Sequence, residues 1–137
     1  MNILGNKPFR MMSKDEKLIY LAVSHTANSV GVSVIDTFVL SAILGIEEDD
    51  LETAINKAPL LCFDSETGEV YVIGYLLERN PYSSTAKHRT KFFAESRDVK
   101  SKKVRTSINN DLKEARQRSE VSDSQSFKEK PLPKIDN

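Results

Sequence analysis

Residues 44–55, Leu44-Gly-Ile-Glu-Glu-Asp-Asp-Leu-Glu-Thr-Ala-Ile55 (LGIEEDDLETAI), decide how the middle of this chain folds. Gly45 has the conformational freedom to stop a helix in the left-handed region, and Leu51, Ala54 and Ile55 then recur with the spacing of a buried helical stripe. Pro59 bars continuation, so a helix is predicted from about Glu48 to Lys57. Upstream, Asp36 is a fitting N-cap for a helix over Thr37–Leu44, with Phe38, Val39, Ala42 and Ile43 as its expected core stripe. Two short helices joined through a glycine turn make a helix-turn-helix, a motif whose second helix commonly enters the major groove of DNA. Here that helix opens on Glu47, Glu48, Asp49, Asp50 and Glu52, which would meet a ladder of negative phosphates. The acidic turn complements the positive end of the helix dipole, by about 0.3–1 kcal/mol per charge, and repels phosphate.

Working outward, Ser13-Lys-Asp-Glu16 is a capping box and predicts a helix over about 14–27, with Leu18, Ile19, Ala22 and Val23 on its buried face and Leu21 beside them. Gly31–Ile35 reads as a short strand. Leu60–Phe63 and Val70–Leu76, separated by Asp64-Ser-Glu-Thr-Gly-Glu69, read as a β-hairpin whose loop uses the positive φ open to Gly68. Met1–Met12 shows no period and is expected to be a flexible lead-in.

Beyond Asn80-Pro81 the character of the chain changes. Thr85 to Arg118 contains neither Pro nor Gly, and a helix is predicted from about residue 85, with Asn109-Asn110 as a candidate interruption. Its apolar positions are sparse. Val104, Ile108 and Leu112 recur every four residues, a narrow stripe that must be covered either by the protein's own body or by the equivalent helix of a second copy; a homodimer through these residues is the expectation. From Ser119 to Asn137 the chain is mostly Ser, Asp, Gln and Lys with two prolines, Pro131 and Pro133, offers almost nothing to bury, and predicts a disordered tail.

The formal net charge of zero conceals a bipolar molecule. Residues 1–81 carry 6 Lys and Arg against 12 Asp and Glu, residues 82–118 carry 11 against 4, and residues 119–137 carry 3 against 4. A run of cations interleaved with Phe92 and Phe93 has the makeup of a nucleic-acid-binding surface. Lys87, Arg89, Lys91, Lys100, Lys102, Lys103 and Arg105 are the candidate DNA contacts, because no acid lies within Lys100–Arg105 and only Tyr82 and small polar residues lie between Pro81 and Lys87. The alternative is a solvated helix in which Glu95, Asp98, Asp111 and Glu114 pair with neighbouring Lys and Arg. Tyr71, Tyr75 and Tyr82 have the rings to stack on bases, although the strand positions of Tyr71 and Tyr75 predict packing.

Catalytic and metal chemistry find little support. Cys62, His25 and His88 are too scattered to form a zinc set, Cys62 reads as a buried structural thiol, and His25 sits where a cation favours a helix C-terminus. Consecutive carboxylates on a helix point around it and converge poorly on one ion. With no nucleophile–base pair and no phosphate-cradling glycine loop, the expectation is a non-enzymatic protein without cofactor or metal. The absence of a signal-peptide pattern or a long apolar run predicts a cytoplasmic protein with no membrane partner.

The three stretches LIYLAVSHTANSVG (18–31), LGIEEDDLETAI (44–55) and LLCFDSETGEVYVIGYLLERNP (60–81), in this order, resemble the N-terminal winged-helix domain of phage and prophage replication proteins of the replisome-organiser type. The resemblance covers about residues 13–90 and lies in pattern and spacing, with an acidic helix of the 48–57 kind as a family habit. It implies a winged helix-turn-helix over 13–82, and with the basic C-terminal helical arm over 83–118 and the tail over 119–137 read from the residues themselves the expectation is an α-rich α+β protein. It also implies DNA, single- or double-stranded, as partner, in replication initiation or its control, with host or phage replication proteins as further partners. The 137 residues leave no room for the helicase-loader-related domain of larger members, so helicase recruitment is not implied. Two rival readings stand beside it: a dimerising protein-interaction module whose acidic body binds a partner, and a winged-helix transcriptional regulator.

Overall fold

The computed structural model describes residues 7–129, with side chains as far as residue 120. Its elements are α1 (Lys7–Met11), α2 (Lys14–Thr26), β1 (Val32–Val34), α3 (Thr37–Leu44), α4 (Glu48–Lys57), β2 (Leu61–Phe63), β3 (Glu69–Val72), α5 (Tyr75–Glu78), a 3-10 turn (Pro81–Ser83), α6 (Ala86–Ser96) and α7 (Lys102–Glu129). The protein is a helix-rich α+β fold around a three-stranded antiparallel sheet of order β1-β3-β2.

Local chemistry sets the helix ends. Glu16 N–H donates to Ser13 Oγ at 3.1 Å while Ser13 N–H donates to Glu16 Oε1 at 2.7 Å, so the capping box closes and starts α2. Asp36 Oδ1 accepts from the N–H groups of Phe38 and Val39 to start α3, and Gly45, at φ 70°, ends it. Gly68 turns the β2–β3 loop at φ 76°, with Ile35 O where a Cβ would lie, 2.7 Å away.

The sheet is covered on both faces. Its register sends Leu61, Phe63, Val70 and Val72 to one side, where they join Phe9, Met12, Ile19, Val23, Leu51 and Ile55 from α1, α2 and α4. Val32 and Tyr71 face the other way and meet Leu76, Phe92, Val99, Val104 and Ile108. All four residues of β3, the central strand, are buried. Helix α4 packs against β2 in the first layer and α7 against β2 and β3 in the second, so the acidic helix and the cation-bearing helix lie on opposite faces of the sheet.

Several expectations change here. The lead-in is helical at α1 and anchored by the buried Phe9 and Met12, while residues 1–6 lie outside the described residues. On α3, Phe38, Val39, Ala42 and Ile43 face outward and Leu40 and Leu44 pack on the core from the face that also carries Thr37 and Ser41; their hydroxyls are satisfied by Glu48 and the Phe38 carbonyl, so the polar positions mark the half-buried side and point the wrong way. On α2 the buried residues are Ile19, Tyr20 and Val23, with Leu18 and Leu21 exposed. The second hairpin strand stops at Val72, because Gly74 at φ 91° turns the chain into α5 and buries Leu76.

The basic segment is two helices rather than one, broken at 97–101 and continuous through Asn109-Asn110. It is also no free arm. Val104 and Ile108 are buried in the second core and Leu112 packs against it, so this protein's own sheet covers the stripe expected to bind a second copy. Helix α7 runs on through residues 119–129, where composition predicts disorder; residues 130–137 of that segment lie outside the described residues.

Candidate nucleic-acid interface

The cations are presented by the starts of α6 and α7. Thr85 caps α6, its Oγ1 accepting from His88 N–H at 3.3 Å, and Lys87, Arg89 and Lys91 follow with no acid in the first turn. The start of α7 is fixed from a distance. Ser101 Oγ accepts from Val104 N–H at 3.1 Å and donates to Asp64 Oδ2 at 2.5 Å. The buried Glu69 carboxylate on β3 accepts from Lys100 N–H at 2.9 Å and from Ser101 N–H at 2.6 Å. The Ser101 hydroxyl and then the Glu66 N–H hold the Asp64 carboxyl below its usual range.

A second anchor lies further along. Asp111, expected among the acids facing solvent, is buried, and its Oδ2 accepts from Tyr71 OH at 2.5 Å and Gly74 N–H at 2.7 Å. Burial, followed by the bond to Asp111, raises the Tyr71 phenol well above its ordinary range. Tyr71 therefore packs and ties strand to helix, and does not face solvent. Asn80 Nδ2 adds a bond to Ala115 O at 2.7 Å.

These anchors change the charge that solvent meets. Glu95 accepts from Ser29 N–H and hydroxyl, and Asp111 is committed to Tyr71 and Gly74, so two of the four acids in 82–118 are drawn towards the body. Of the expected pairings within that segment, Arg118–Glu114 forms at 3.4 Å; Arg116 pairs outside it with Glu120, also at 3.4 Å.

Not all seven candidate cations are equally available. Lys103 Nζ donates to Phe63 O at 2.8 Å, and the Arg105 guanidinium donates to Val99 O, through Nε at 2.7 Å and also through Nη2. Lys103 braces α7 against β2, and Arg105 ties α7 to the α6–α7 turn. Lys87, Arg89, Lys91, Lys100 and Lys102 are exposed, with no ion pair among the described residues.

The other singled-out side chains fall into place around them. Tyr75 is half-buried with the Arg79 guanidinium 5.6 Å from its ring centre, Tyr82 is exposed, and His25 lies in the last turn of α2. Cys62 is half-buried against α7, its thiol donating to Lys103 O at 3.8 Å, and burial pushes that thiol up. Glu48 accepts from the Thr37 hydroxyl at 2.9 Å, while Glu47, Asp49, Asp50 and Glu52 are exposed. Among the described residues no three His, Cys, Asp or Glu side chains are grouped to hold a metal ion, and no helix is long and apolar enough to cross a membrane. Asp64 and Glu69, which seat the basic helix, carry no sequence signal of that role, since their partners lie 31 to 37 residues away.

Compared with protein-family models, curated proteins and solved structures, the chain matches none.

Proposed function

We propose that this chain is a non-enzymatic DNA-binding protein with a winged helix-turn-helix body, acting in DNA replication initiation or its control, as its resemblance to phage and prophage replication proteins implies. The order α2, β1, α3, α4, β2, β3, with β1 pairing to the second strand of the hairpin, supports the winged-helix reading. DNA meets the start of α6 and α7, and the acidic α4 stays away from it.

One observation carries this reading. Cations in the first turn of a helix sit at the positive end of its dipole, at a cost of about 0.3–1 kcal/mol each, yet α6 and α7 both begin with cations and no acid of their own, and at α7 the Asp64 and Glu69 carboxylates reach in from the hairpin to complement that end. Helix α4 begins with three acids, as stability alone would favour. A local rule broken at both helix starts points to a use outside folding, and the exposed side chains of Lys87, Arg89, Lys100 and Lys102 suit phosphate.

The test is DNA binding by the full chain and by a Lys87→Gln, Arg89→Gln, Lys100→Gln, Lys102→Gln variant, on two unrelated duplexes and one single strand. The expected result is an equal loss on both duplexes, since phosphate contacts carry no sequence information. Unchanged affinity would overturn the proposal, and a footprint confined to one sequence would favour the transcriptional regulator.

A protein-interaction reading draws on a different face. Phe38 and Ile43 on α3 are 69% and 72% exposed, with Val39 between them and the acidic start of α4 just beyond Gly45. Exposed apolar side chains in such a group mark contact surfaces, and the acids favour a basic partner. Phe38→Ser with Ile43→Ser should abolish partner binding and leave DNA binding intact.

A further inference from the structure

A cleft of about 740 Å³ opens between the end of α2 and the start of α6, away from the α6–α7 turn. Small-molecule pockets occupy roughly 300–1,000 Å³, so its volume suits one ligand. Tyr75, Leu77 and Phe92 give it apolar wall, and Arg79, His88, Lys91 and Arg118 line it with basic groups.

The chemistry is sorted within the cleft. The Arg79 guanidinium lies 5.6 Å from the centre of the Tyr75 ring, which itself packs on Gly31, and the outer face of this exposed guanidinium is a surface on which a planar base can lie. Lys91 and Arg118 come from α6 and α7, joined by the hydroxyl side chains of Ser83 and Thr85. Arg118 meets Glu114 only at 3.4 Å, in a pair more than half exposed and therefore easily exchanged for a stronger anion. Among the described residues Glu78 is the acid in the lining, set against Arg79, Lys91 and Arg118, with Glu95 held on Ser29 and Glu114 beside Arg118. An anionic group and a flat ring are wanted together, which neither phosphate nor a neutral aromatic supplies alone.

We propose that this cleft binds a nucleoside phosphate, either free or as an unstacked nucleotide of a single strand, with the base against the Arg79 guanidinium and the phosphate on Lys91 and Arg118. It goes beyond the duplex-binding reading, with which it shares Lys91, since backbone contacts at Lys100 and Lys102 do not require the cleft.

The experiment is amide-resolved NMR titration of the full chain with deoxythymidine monophosphate, deoxyadenosine monophosphate, thymidine, inorganic phosphate and octathymidylate. At least one nucleotide-bearing probe should shift the amides around Tyr75 and Ser83–Thr85, and bind at least tenfold tighter than thymidine or inorganic phosphate. Saturation by a free monophosphate identifies a free nucleotide as ligand, and the same shifts with octathymidylate alone identify a strand. Lys91→Gln with Arg118→Gln, both exposed positions, should weaken binding at least tenfold with an unchanged melt. Lys100→Gln with Lys102→Gln should leave the amide shifts around Tyr75 and Ser83–Thr85 and the affinity for the free monophosphates as they were, which separates this result from failure of the duplex reading. The proposal is overturned if no nucleotide-bearing probe shifts these amides at millimolar concentration, if inorganic phosphate binds as well as the nucleotides, or if the Lys91/Arg118 variant binds like the wild type.

Discussion

Replacing Ile108 by Ala asks whether α7 is part of the folded body or an arm awaiting a second copy. Ile108 is 5% exposed and packs with Tyr71, Leu76, Val99 and Val104. The substitution removes about three buried carbon groups, at about 0.8 kcal/mol each, and leaves a cavity that a sheet-and-helix sandwich closes only partly. A loss of about 3 kcal/mol follows, within the roughly 2–5 kcal/mol usual for such truncations. With an unfolding entropy of about 2.1 cal/mol/K per residue, a chain of this length loses about 0.3 kcal/mol for each degree, so the midpoint should fall by about 10 °C. The assay is thermal unfolding followed by circular dichroism, with sedimentation of both proteins alongside. An unchanged midpoint with a smaller sedimentation coefficient would refute this reasoning and return Val104, Ile108 and Leu112 to a dimer interface.

Further outcomes test other parts of the structure. Tyr71 keeps its proton in the fold at pH values where an unfolded tyrosine has lost it; its stabilising share is therefore complete below about pH 10 and lost as pH rises further, at up to about 1.4 kcal/mol per pH unit. Denaturant titrations above pH 10 should show a shallower decline for Tyr71→Phe, and an identical slope would contradict the Tyr71–Asp111 account. Gly68→Ala should cost at least about 1–2 kcal/mol, because Gly68 is held at φ 76° beside Ile35 O; an equal urea midpoint would mean that the hairpin loop rearranges freely. Asp49→Asn with Glu52→Gln should raise DNA affinity slightly by removing repulsion, read by fluorescence anisotropy at low salt; lost binding would mean that α4 makes an indispensable contact.

How much was legible follows from where each signal sits in the chain. Helices α3 and α4 have the predicted bounds because Asp36, Gly45 and Pro59 act on their immediate neighbours. The Ser13–Glu16 capping box is equally local. What escaped depends on distant partners. The break before α7 is sealed by Asp64 and Glu69 from the hairpin, and the destination of the α7 stripe was a choice between two covers that spacing alone leaves open. Five of the seven predicted DNA contacts remain exposed and unpaired, while Lys103 and Arg105 are spent on Phe63 and Val99 carbonyls that no periodicity reveals. The cleft cations Arg79 and Arg118 lie 39 residues apart and come together only through the packing of α5 against α7.

The central claim, that exposed cations at the starts of α6 and α7 hold the protein on nucleic acid, is tested most directly by salt. Duplex affinity of the full chain should fall linearly with the logarithm of salt concentration, each neutralised phosphate contributing a slope of about 0.9. Removing Lys87, Arg89, Lys100 and Lys102 together should flatten that slope by up to about 3–4, equally on unrelated sequences, while the melt is kept. A wild-type affinity indifferent to salt, or a slope that the four substitutions leave in place, would contradict it.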